Sequence, residues 1–76
     1  MTEDEKIIDD KLESFFVTKT PIHIILKRVD YTTRKNIFLN GTLIERITPR
    51  VWNLKERKFG ETRVAISEVK SVEEVR

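Results

Sequence analysis

Apolar residues Ile8, Leu12, Phe15 and Phe16 recur along the first sixteen positions at the three- and four-residue spacing of a helix, and Ile7 widens the stripe. Thr2 and Glu5 stand three apart, the spacing of a capping box, and the acids of the opening turns favour the positive end of the helix dipole. A helix of about four turns is predicted over 3–16. It ends before Pro21, because the residue preceding a proline leaves the helical region and Val17, Thr18 and Thr20 are β-branched. From Ile22 the period changes to two. Ile22, Ile24 and Leu26 share one face of a first strand, and the polar stretch Asp30–Asn36 forms the long tip of a hairpin. Asn40-Gly41 could mark a two-residue turn, but that would leave Ile37-Phe38-Leu39 as a very short strand. One long strand from Ile37 to Ile47 is the better reading, with Gly41 marking a bulge or sharp bend. Thr48-Pro49 ends it. A third strand, Val51–Lys55, is joined through a Lys58–Glu61 turn to a fourth, Thr62–Ser67. Val69, Val72 and Val75 recur at spacing three, which suits neither period, and imply a short closing strand broken by a turn.

The pattern predicts a mainly β fold: an N-terminal α-helix followed by a five-stranded, strongly bent antiparallel small barrel, helix about 3–16 and barrel about 21–75, in one domain spanning 1–76. At 76 residues a chain without cysteine buries only roughly 60% of its unfolded surface, so an oligomeric partner would add much to its stability. The absence of cysteine removes thiolate metal cages, redox pairs and cysteine nucleophiles, and a lone His23 cannot build an imidazole site. No metal or other cofactor is predicted. No paired nucleophile and base and no phosphate loop can be found, so an enzyme is not expected. The polar start lacks the apolar stretch of a secretory signal and no apolar run reaches membrane-span length, which places the expected protein in the cytoplasm, off the membrane.

Charge is unevenly spread. The formal total is +2, made of −4 over residues 1–16, +7 over 17–63 and −1 over 64–76. An acidic head on a basic body matches the electrostatics of nucleic-acid contact, although small domains also carry such charge for solubility.

The order of elements resembles the Sm-like fold, and the local sequence is similar to the bacterial Hfq branch. Leu12–Leu26 resembles that family's passage from helix through proline into an alternating first strand. Gly41 resembles its bending glycine, Val51-Trp52-Asn53-Leu54-Lys55 its third strand, and Thr62-Arg63-Val64-Ala65-Ile66-Ser67 its fourth, where Hfq proteins typically read Tyr-Lys-His-Ala-Ile-Ser. The resemblance runs from about Leu12 to Val72. The chain departs from the pattern at Thr62 and Val64, where the family has its tyrosine and uridine-binding histidine, and around Asp30–Asn36, where the first hairpin is extended. The Asp, Asn and Arg-Gly signatures of eukaryotic Sm proteins are missing; Thr48-Pro49-Arg50 and Ser67-Glu68 stand there.

The resemblance implies a homo-oligomeric ring of about six or seven copies, closed by pairing of the fourth and fifth strands of neighbours, that binds single-stranded RNA. Arg63 and Arg50 would hold phosphate or base edges, Trp52 or Phe59 would offer a stacking face, and Tyr31 with Arg34 and Lys35 would form a second contact region. Each residue also has a plainer reading. Trp52 lies in an apolar strand and could pack in the core or at a subunit interface; Arg50 could be a solvated loop charge; Arg63 could form a cross-strand ion pair; Tyr31 could simply be exposed. His23 is read as structural, and the acids of the helix as a solvated face or a protein-binding one. The alternative from another class is a small-barrel protein-interaction or transcription-regulator module, similar to WYL or YolD-type barrels, without RNA binding.

Overall fold

A computed structural model describes residues 2–75 of the chain. Helix α1, Glu3–Thr18, is followed by β1 (Ile22–Val29), β2 (Asn36–Thr48), β3 (Val51–Glu56), β4 (Gly60–Ala65), a short 3-10 turn (Ile66–Glu68) and β5 (Val69–Glu74). The strands form one antiparallel sheet in the order β4-β3-β2-β1-β5, with α1 packed against β2, β5 and the 3-10 turn. The fold is mainly β, a helix followed by five strands, as the hydrophobic pattern predicts.

The capping box is present: Glu5 N–H donates to Thr2 Oγ1 at 3.2 Å, and Glu5 Oε1 accepts from Thr2 N–H at 3.4 Å. The helix runs two residues further than its β-branched end suggests, to Thr18, and stops on Lys19 in the left-handed conformation with its amide bonded to Phe16 O. Leu12 is fully buried and Ile8, Phe15 and Phe16 pack on the core, whereas Ile7 is 52% exposed and lies outside the stripe. Burying that single stripe against the sheet is what holds α1 in place.

β2 is divided between two neighbours. Its first half pairs with β1 (Ile22↔Gly41, Ile25↔Phe38) and its second with β3 (Gly41↔Glu56, Leu43↔Leu54). Gly41 belongs to both pairings and sits tight against the neighbouring backbone: a Cβ there would run into the carbonyl of Lys55. It is therefore a close-approach glycine, and the register shifts of β2 and β3 lie further along, between Leu43 and Glu45 and between Arg46 and Thr48. Those shifts leave Ile44 and Ile47 partly exposed. Between β1 and β5 another shift separates Leu26↔Val69 from Ile25↔Ser71. An extra residue, Lys70, lets Val69 and Val72 both turn inward at spacing three, which accounts for the awkward period of that segment. The predicted fourth strand is shortened at its end, since Ile66 and Ser67 belong to the 3-10 turn; Ile66 N–H donates to Arg50 O at 2.9 Å and ties that turn to the β2–β3 connection. Among the described residues no helix is long and apolar enough to cross a membrane.

Candidate nucleic-acid interface

Alternation along β3 decides which of its side chains can reach a ligand. Trp52, Leu54 and Glu56 face inward, Asn53 and Lys55 outward. Trp52 is 1% exposed, so it offers no face to a base, and this corrects its assignment as a stacking residue. Its ring is enclosed on the inner side of the sheet: Phe16 lies at a centroid distance of 5.3 Å, the Arg46 guanidinium stands 4.3 Å over it, and its Nε1–H donates to Asp9 Oδ1 at 3.1 Å. Arg46 grips the same carboxylate twice, Nη1 to Oδ1 at 2.9 Å and Nη2 to Oδ2 at 3.2 Å, and donates to Pro49 O at 3.0 Å. The cluster joins α1 to β2 and β3 and satisfies a buried indole N–H, a structural use of both tryptophan and cation.

Arg63 is exposed on β4, an edge strand of the sheet, opposite Asn53. Its neighbour Glu61 accepts from Asn53 Nδ2 at 3.1 Å, and among the described residues Arg63 takes part in no ion pair. Arg50 is exposed in the turn before the Val51↔Ala65 rung, two residues along β4 from Arg63 on the partner side. The two arginines thus lie toward the same end of the β3–β4 pair.

Tyr31, Arg34 and Lys35 are elsewhere, at the far tip of the β1–β2 hairpin. Tyr31 is 97% exposed. The tip is ordered by Asp30: its carboxylate accepts from Thr32 N–H at 2.8 Å, its carbonyl from Arg34 N–H at 2.7 Å, and its own amide donates to Lys35 O at 2.8 Å. Arg34 takes a left-handed φ of 59°, an uncommon conformation for arginine that this closed turn imposes. β3 and β4 continue the sheet from the other half of β2, so a single chain does not bring the tip together with Arg63.

His23 is half-buried on the outer face, with Nδ1 donating to Asn40 Oδ1 at 2.6 Å and its ring 5.2 Å from that of Phe38. These contacts give it a structural role, and Phe38 emerges as an exposed strand aromatic. An open concavity beside it is lined by His23, Asn40, Glu73, Glu74 and Val75. Among the described residues no group of His, Asp or Glu side chains is placed to hold a metal ion.

Sequence reasoning passed over the charges of the β3–β4 turn. Glu56 is the one buried charged side chain among the described residues, 7% exposed at the end of the inward face of β3. Its Oε2 accepts from Lys58 N–H at 2.6 Å and Phe59 N–H at 2.9 Å. Burial pushes the carboxyl pKa up, but the amides of Phe59, Lys58 and Asn40, with the Lys58 charge nearby, outweigh it and hold the group below its ordinary value. The signal was available: the alternation that turns Trp52 and Leu54 inward turns Glu56 inward too. No family model, no curated protein and no solved structure matches this chain.

Proposed function

We propose that this protein is an Sm-like, Hfq-like RNA-binding protein that closes into a ring of about six or seven copies and acts in post-transcriptional regulation by holding single-stranded RNA on basic and aromatic side chains. The observation that carries the reading is an edge strand bearing an exposed arginine that takes part in no ion pair among the described residues: β4 and β5 are the two edges of the sheet, and Arg63 lies on β4. An open edge presents unpaired N–H and C=O groups. Pairing β4 of one copy with β5 of the next would use up both edges, and a head-to-tail contact of this kind can close into a ring. Arg63 and Arg50 would then recur once per subunit around one rim, turning a weak single contact into a multivalent one. Tyr31, Arg34 and Lys35 would give a second contact region; Trp52 takes no part.

Fluorescence titration of labelled U-rich, A-rich and mixed oligonucleotides at two salt concentrations tests the reading. Saturable binding that weakens with salt and drops with Arg63→Ala is expected; no binding even at low salt would remove RNA as the ligand. A protein-interaction or transcription-regulator module is the second reading. The scattering of Arg63, Arg50 and the hairpin tip over one chain favours it, because these residues do not form one common site without assembly.

A further inference from the structure

We infer that the β3–β4 turn, Arg57-Lys58-Phe59 with Lys55 at its foot, is a preformed contact for single-stranded RNA, and that the buried carboxylate of Glu56 is its positioning residue. The inference rests on the RNA reading above, whose resemblance offers Phe59 as a stacking face, and adds to it the cations Lys55, Arg57 and Lys58 and the carboxylate of Glu56. Three observations converge on this turn. Phe59 is 79% exposed, a large apolar ring standing out from the protein surface. Lys55, Arg57 and Lys58 are exposed around it, and none of them takes part in an ion pair among the described residues. Glu61, which faces Lys55 across the strands, is engaged by Asn53. Finally, the backbone is held from beneath: Glu56 Oε2 binds the amides of Lys58 and Phe59, Arg57 N–H donates to Asn40 O at 3.1 Å, and Gly60 turns the chain back with a φ of 78° that suits glycine.

A buried charge is costly, and this one is spent on two amides of a solvent-exposed turn. It spares the turn much of the ordering entropy that binding would otherwise demand. What the turn then presents is one stacking ring among three cations, the pairing that single-stranded nucleic acid takes: bases on the aromatic, phosphates on the charges. Asn40 also links the turn to the open concavity lined by His23, Glu73 and Glu74, where amide, imidazole and carboxylate groups could meet the edge of a base, and where the carboxylates would keep phosphate on the turn side. A membrane surface would take the cations and one ring, but would make no use of that polar concavity.

Fluorescence anisotropy with labelled single-stranded oligonucleotides, on the full chain at two salt concentrations and with a thermal melt for every variant, decides the matter. Phe59→Ala is expected to weaken binding roughly 5- to 100-fold at unchanged melting temperature. The Arg57→Ala/Lys58→Ala double variant is expected to lower the salt slope by about 1.4, the loss of two phosphate contacts. Glu56→Gln gives the sharpest sign. It adds a net positive charge, so charge alone predicts equal or tighter binding, whereas a positioning role predicts weaker binding. If Glu56→Gln melts, the exposed variants alone decide. Wild-type affinity in Phe59→Ala and in the double variant, beside a loss in Arg63→Ala, would overturn the turn inference and leave the RNA reading standing. A wild-type protein that binds no oligonucleotide would overturn both. Phe59-dependent capture by phosphatidylserine vesicles without RNA binding, or a change of oligomeric state in Phe59→Ala with per-site affinity intact, would replace RNA with a lipid or a second copy as the partner.

Discussion

Gly41 and Trp52 are where single atoms decide the most. A methyl group at Gly41 meets the backbone of Lys55, not a side chain that could swing away, so Gly41→Ala must push β2 and β3 apart. We predict a loss of about 3 kcal/mol in a urea unfolding curve, the upper part of the overpacking range. Trp52→Ala should cost about 3–5 kcal/mol, since it empties the largest fully buried site of the core and strips Arg46 of its aromatic face. Glu56 sets a pH dependence whose sign follows from its lowered pKa. A carboxyl held below its unfolded value contributes stability in full above that unfolded value, and the contribution drains away as pH falls through the folded one. Acidification below roughly pH 4 should therefore loosen the β3–β4 turn, and an acid titration followed by melting temperature should show a shallower acid limb in Glu56→Gln.

Among the elements, α1 is tied to the sheet by a polar cluster as well as by its apolar stripe. Asp9 is held by two nitrogens of Arg46 and the indole of Trp52, with Glu13 a further 3.7 Å contact of Arg46. Asp9→Ala would leave a half-buried guanidinium and a buried N–H without their partner, a loss of about 2–3 kcal/mol in chemical denaturation, below the full cost of breaking a wholly buried pair because Arg46 keeps some solvent. Thr2→Ala, which removes only the cap, should cost about 1 kcal/mol. The elements themselves were readable from the residues. The capping spacing of Thr2 and Glu5, the alternation of Ile22, Ile24 and Leu26, and the polar tip at Asp30 each rest on local chemistry that a sequence displays. What escaped is set by pairing between distant segments. The bulge at Lys70 exists only because β5 must match β1, so valines at spacing three looked irregular until their partner strand was known. The same holds for Ile44 and Ile47, thrown outward by register shifts against β3. For the candidate site, exposure of Tyr31, Arg63 and Arg50 was legible from polar surroundings. Trp52 packs inward as the alternation it shares with Leu54 requires, which is the plainer of its two readings, and Phe59 is the stacking candidate left exposed; the cations Arg57 and Lys58 beside it and the carboxylate beneath are what the sequence reading misses.

At the scale of the molecule, a single chain carries the cations of its candidate contacts on separate elements: Arg63 and Arg50 toward one end of the β3–β4 pair, Lys55, Arg57 and Lys58 at the other, and Arg34 and Lys35 on the hairpin tip. Assembly through β4 and β5 is what would repeat these groups at regular spacing, which makes copy number the quantity on which the functional account depends. Multi-angle light scattering on the purified protein measures it directly. The account predicts one species of about six or seven copies that persists on dilution, and a monomer at all working concentrations would contradict it.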